Sequence, residues 1–328
     1  MKQLIKIALI VCSAIIATSC GGKTPVQATS TQLSVETQKG LAIEVNADSV
    51  FAFVEAQTSM GPRVPGKAGH DRCMAFIKER LASCGAVVSV QDTLFAPAGT
   101  ELLPQRVRNI TGRFNVGAPR HVLLLAHYDT RPWADEESNP KHHDTPIDGA
   151  NDGASGVAVL LEIARLMKQL PDNVEVEMLF VDAEDAGNHT EDLSWCIGSQ
   201  AWASAFDPLS RRIPEYAILL DMVGGKNAKF HREYFSEQYA SKINNKVWNT
   251  AKQLGYGERF PNEMGGALND DHIHILSVGI PAIDIVESAH PSTQSFNPTW
   301  HTLEDNINNI DRSTLKMVGD VVINTILR

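Results

Sequence analysis

The chain has 328 residues, 43% hydrophobic against 21% charged, a balance that excludes a disordered or fibrous protein and leaves room for one large α/β domain or two modest ones. Its formal charge of −10 with no long basic run makes nucleic acid and anionic membrane poor partners. Beyond residue 20 the cysteines are Cys73, Cys84 and Cys196, an odd number without CxxC spacing, which points to neither a zinc–thiolate site nor a disulfide framework.

The chain opens with "MKQLIKIALIVCSAIIATSC". Lys2 and Lys6 precede an apolar stretch too short to span a bilayer comfortably, the pattern of a cleaved secretory signal. Its end, "ATSC", resembles the lipobox of bacterial lipoproteins, which implies that Cys20 is acylated and begins the mature chain. Ordinary cleavage near "ATS" is the alternative, with Cys20 lost or left as a free thiol. Residues 21–40 are polar and aperiodic and read as a flexible tether. The expectation is an exported, periplasm-facing lipoprotein that meets the membrane through its lipid anchor only.

From residue 41 to residue 328 no second linker or internal repeat interrupts the chain. Helical spacing runs through 49–60, 68–85 and 154–170, the second stopping at Gly85 and the third before Pro171. Strand-like runs are "HVLLLAHYD" (121–129), "VEVEMLFVDA" (174–183), "YAILLDMV" (216–223) and "IPAIDIV" (280–286). Three of them are nearly continuous apolar segments, as in strands covered on both faces. Their alternation with helices predicts a single-domain αβα sandwich around a mostly parallel sheet, with ligands beyond the carboxyl ends of the strands.

Polar residues cluster where those strands stop. The first runs into His127 and Asp129, the loop "DGANDGASG" carries Asp152, the second strand reaches Glu184 and Asp185, and the third delivers Asp221. Near the C-terminus, "TWHTLEDN" supplies Trp300 and His301. Singly, each has an ordinary reading: an Asp-Gly turn, a cap, a satisfied core histidine. Together at one sheet edge they form a set of carboxylates and imidazoles without thiolates. That is the ligand set of a catalytic zinc, which takes three protein ligands and keeps one position open. Imidazole nitrogen favours zinc over magnesium.

These residues carry a family resemblance. "HYD" (127–129), "ND" (151–152), the "AEDAG" acid pair, "LLDMVG" (219–224) and "WHT" (300–302) are shared with zinc aminopeptidases. "GPRVPGKAG" (61–69), "NDDHIHILSVGIP" (269–281) and the full "WHTLEDN" are closer to glutaminyl cyclases. Over residues 45–328 the chain resembles a bacterial glutaminyl cyclase of the animal type, built on the zinc-exopeptidase fold with a mixed central sheet. The resemblance implies one zinc held by Asp152, Asp185 and His301, with Glu184 as general acid/base and Asp221 and Asp270 hydrogen-bonded beside it. It implies a substrate pocket lined by Trp300 and Phe296, and a cis peptide between Asp152 and Gly153. The implied partners are peptides or proteins with N-terminal glutamine, converted to pyroglutamate with release of ammonia.

Two departures stand out. Asp185 occupies a position that is more often Glu in animal relatives, and Ala126 and Val157 stand where those relatives carry a disulfide. Asp284 is expected near the pocket, without an assigned role. The nearest rival is a di-zinc aminopeptidase, with Asp152 bridging and His127 and Asp221 completing the second site. A further rival is a binding lipoprotein whose site is inert, against which the intact Glu184 and ligand set argue.

Overall fold

The computed structural model describes residues 42–328. The expected signal peptide, the lipidation site Cys20 and the tether lie outside the described residues. Helix α1 (Ala47–Thr58) starts where Asn46 accepts the Ser49 N–H, and α2 (Ala68–Ser83) closes two residues before Gly85, whose φ of 94° breaks the helix after its cap Cys84. Strands β1 (Val87–Phe95) and β2 (Gln105–Phe114) then pair as an antiparallel hairpin. Neither appears in the sequence reading. Their charged residues interrupt the apolar pattern, because β1 is an edge strand that buries little.

The remaining elements follow the expected alternation: β3 (Arg120–His127), α3 (Ala154–Leu166), β4 (Val174–Val181), α4 (Ile197–Ser204), β5 (Tyr216–Leu220), α5 (Tyr234–Gln253), α6 (Asp271–Ser277), β6 (Ala282–Ile285) and α7 (Arg312–Ile326). The sheet order is β1-β2-β4-β3-β5-β6, with β4, β3, β5 and β6 mutually parallel, β2 antiparallel to its neighbour β4, and β1 antiparallel to β2. The chain steps from β3 to β4 on one side and returns to β5 on the other. The strand order therefore reverses at β3, and a crevice opens beyond its carboxyl end.

Alternate residues of the central strands bury into opposite layers. Val122, Leu124 and Ala126 join a core with Val50, Ile77, Leu160 and Val321 of α1, α2, α3 and α7. Leu123 and Leu125 join a second core with Trp202 of α4 and Ile275 of α6. This two-sided coverage explains the unbroken apolar runs. Two buried acids in β4 break the pattern, and each has a basic partner: Glu177 meets His121 at 3.1 Å and Glu175 pairs with Arg113. Among the described residues no helix is long and apolar enough to cross a membrane.

Candidate active site

The polar strand ends converge at the β3 crevice. His127, the last residue of β3, lies with Nε2 3.1 Å from Asp152 Oδ1 and 3.1 Å from Asp221 Oδ1. His301 lies with Nε2 3.0 Å from Asp185 Oδ1 and 3.6 Å from Asp152 Oδ2. Asp152 thus turns one carboxylate oxygen to each imidazole. The donor atoms of Asp152, Asp185 and His301 fall within 4.8 Å of one another, as do those of His127, Asp152 and Asp221. All five residues are buried.

So many buried carboxylates need compensating charge. Burial, reinforced by Asp152, raises Asp185 to about 6, and burial raises Asp221 to about 7 against the pull of His127. Burial works against charge on His301, but Asp185 and Asp135 outweigh it and lift the imidazole to about 9. His127 is likewise held well above its ordinary value by Asp129, Asp152 and Asp221 in spite of burial. Asp185 Oδ2 is also buried with no hydrogen-bond partner. An oxygen left unpaired beside an imidazole and a second carboxylate suits a divalent cation, and the donor types suit zinc.

The acid pair is held by its backbone. Ala183 takes a left-handed φ of 51° just past β4, turning the chain so that both N–H groups of Glu184 and Asp185 donate to the Asp129 carboxylate at 3.1 Å. Arg131, fully buried, donates to the carbonyls of Asp185 at 3.0 Å and Gly187 at 2.7 Å. Its other face pairs with Asp135, whose Oδ1 lies 3.4 Å from His301 Nδ1, so one carboxylate ties the loop to the imidazole. The short side chain of Asp185 is served by a loop pinned from both sides.

The Asp152 loop is fixed in the same manner. Asp305 accepts the N–H groups of Asn151 at 2.7 Å and Asp152 at 3.0 Å. Buried Arg63 donates to the carbonyls of Asp148 at 2.7 Å and Gly149 at 2.6 Å. The expected cis peptide is corrected here: the Asp152–Gly153 bond is trans, as are all those among the described residues. Gly153 instead makes the turn into α3 with a φ of 93°, where a side chain would meet the Asp129 carbonyl at 2.7 Å. Ala126 and Val157 are packed in the core, and Cys73, Cys84 and Cys196 are free thiols.

Glu184 faces a cavity of about 280 Å³. Burial, with Asp185, Asp270 and Asp271 adding to it, pushes its carboxyl well above the usual range. Its Oε1 accepts from Cys196 Sγ at 3.4 Å, and Asp270 completes a tight group with these two. Asp221 reaches the same cavity but bonds to His127 rather than to Glu184. Trp300 is half-buried, not a core residue; its ring stacks on His301 at 3.8 Å and meets Phe296 at 4.8 Å, so both aromatics wall the cavity. Asp284 does not line it; it is fully buried behind Asp270, with burial and that acid holding its carboxyl well above the usual range.

Sequence reasoning missed Arg63, Arg131, Asp135, Asp305 and the cavity residue Trp195. Arg63 and Asp305 lie inside "GPRVPGKAG" and "WHTLEDN", so the motifs pointed at them without revealing the backbone groups they hold. Arg131 lies two residues beyond "HYD" and carries no spacing signal.

Comparison with known proteins fits this geometry. The model of peptidase family M28 matches residues 109–326. Aminopeptidase YwaD of Bacillus subtilis (strain 168) is 28% identical over 272 residues, 80% of this chain but 53% of that protein, so the chain spans about half of that relative's length. The glutaminyl-peptide cyclotransferase of Bos taurus is 26% identical over 291 residues, 79% of this chain and 76% of the relative. The crystal structure of Bacteroides thetaiotaomicron glutaminyl cyclase bound to N-acetylhistamine is 42% identical with a TM-score of 0.82, covering 88% of this chain and 99% of that one.

Proposed function

Because the chain belongs to peptidase family M28, we propose that it is a zinc-dependent glutaminyl-peptide cyclotransferase, converting N-terminal glutamine of peptides and proteins to pyroglutamate with release of ammonia. One observation carries the reading: Glu184, with Asp221 and Asp270 beside it, faces a cavity of about 280 Å³ that adjoins a three-residue donor set and is walled by Trp300 and Phe296. That space accepts one short side chain and its α-amine. The 42% identity to a glutaminyl cyclase supports it.

Asp152, Asp185 and His301 would hold the zinc. Bound there, the ion supplies Lewis acidity toward the side-chain amide oxygen of the substrate. Trp300 and Phe296 confine the glutamine side chain, so that its own α-amine meets the amide carbon in a near-attack geometry. Glu184 takes a proton from the attacking amine and gives it to the departing nitrogen, as the new C–N bond forms and the old one breaks. Its raised affinity for protons suits the second half of that task. Asp221 and Asp270 line the floor, where they accept hydrogen bonds from the substrate amine.

A di-zinc aminopeptidase is the second reading, favoured by one specific feature: Asp152 Oδ1 and Oδ2 face His127 and His301 separately, which completes a second donor set with Asp221. Zinc stoichiometry separates the two, one ion per chain for the cyclotransferase and two for the peptidase. Residues 1–40 support export and anchoring through Cys20. Metabolic labelling with a fatty acid, lost in Cys20→Ser, tests that anchor.

The function is tested with Glu184→Gln in a coupled ammonia assay on glutaminyl peptides. The variant keeps its zinc and loses at least about a hundredfold in turnover, the scale of general acid–base catalysis. Turnover at the unaltered rate would remove Glu184 from the mechanism. Chelation of the metal should silence the unaltered protein in the same assay.

A further inference from the structure

The catalytic cavity is sized for one residue, so the rest of a substrate peptide must lie outside it. Beside it runs a larger hollow of about 710 Å³, built from Phe235 and Tyr239 of α5, Ile273 and Leu276 of α6, and Leu193 and Leu268 from two loops. The two spaces are continuous: Asp192, Leu268 and Asn269 line both. The rim between them is braced where Asn269 Nδ2 donates to the Asp192 carbonyl at 3.1 Å. Leu193 is 42% exposed and Tyr239 65% exposed, large apolar surface with no covering element among the described residues.

Resting on the cyclotransferase reading, we propose that this groove is the subsite for the residues that follow the N-terminal glutamine, and that it selects large apolar side chains there. Continuity with the catalytic cavity fixes the occupant as the same substrate peptide, which crosses the Asp192–Asn269 rim to reach it. The other hollow bordering Phe296 and Trp300 is smaller, about 190 Å³, and is lined partly by polar Glu136, Thr293 and Asn297. Apolar side chains are therefore better served by the α5–α6 groove. Asp192 places a carboxylate on the rim, which repels acidic residues at the second position.

The test uses the full zinc-loaded chain on three substrates: glutamine amide, Gln-Phe-Leu-amide and Gln-Gly-Gly-amide. The apolar peptide should exceed the glycine peptide by about tenfold in kcat/KM, the scale of partly burying an apolar side chain, with the difference in KM because the contact is made equally in ground and transition states. Leu193→Asp and Tyr239→Asp, both at exposed positions, should bring that ratio toward one and leave glutamine amide turnover unchanged. Equal kcat/KM for the two peptides with the unaltered protein, or a preference that survives both substitutions, overturns the subsite. Ammonia from none of the three substrates would overturn the cyclotransferase reading, and the subsite with it.

Discussion

At the scale of single residues, the two neighbouring acids Glu184 and Asp185 take different environments from one turn. Asp185 turns back toward Asp152 and His301, and Glu184 points at Cys196 and Asp270. Asp129 sets this division, because its two oxygens accept the N–H groups of both. Asp129→Ala leaves two donors without their partner, at about 1–3 kcal/mol each. Zinc affinity should fall by roughly 10–100-fold, the usual loss when a group orienting a ligand is removed; competition with a chromophoric chelator measures it, and unchanged affinity would show that the loop holds itself. The sequence made the donor set of Asp152, Asp185 and His301 legible because carboxylates and an imidazole stand together at the strand ends. It could not show Asp129 or Arg131 as supports, since what they bind is backbone.

At the scale of elements, β3 and β4 could be read because they are apolar on both faces, whereas the β1–β2 hairpin and α5 could not. The hairpin is a charged edge. Helix α5 carries its buried residues on one face among many polar ones. Its start depends on Glu233, which accepts the N–H of Phe235 at 3.0 Å and of Ser236 at 2.6 Å and meets His272 at 3.1 Å. Burial alone would raise this carboxyl, but His272 and the two N–H groups outweigh it and hold it at about 2, against an ordinary 4.5. A depressed carboxylate contributes stability that is full above its unfolded value and lost as pH falls toward its folded one. The gap in unfolding free energy between the unaltered protein and Glu233→Gln should therefore be largest near neutrality. It should shrink between pH 4.5 and about 2; denaturant melts across that range test this, and a constant gap would contradict it.

At the scale of the whole molecule, the site exists because the strand order reverses at β3 and the chain comes back to close it. Residues 300–305 return from far along the sequence to bring His301 against Asp152 and to supply Asp305 as the support of the Asp152 loop. The alternation of strands and helices made the sandwich and the position of its crevice legible. It did not show which loops meet across the crevice, nor the trans bond and positive φ at Gly153 in place of the expected cis peptide. Cyclisation and peptide hydrolysis are the two reactions open to this crevice, and product analysis on a glutaminyl peptide separates them. The cyclotransferase reading predicts ammonia and a pyroglutamyl peptide in equal amounts, with no free amino acid. Free glutamine and a shortened peptide, with no ammonia, would contradict it.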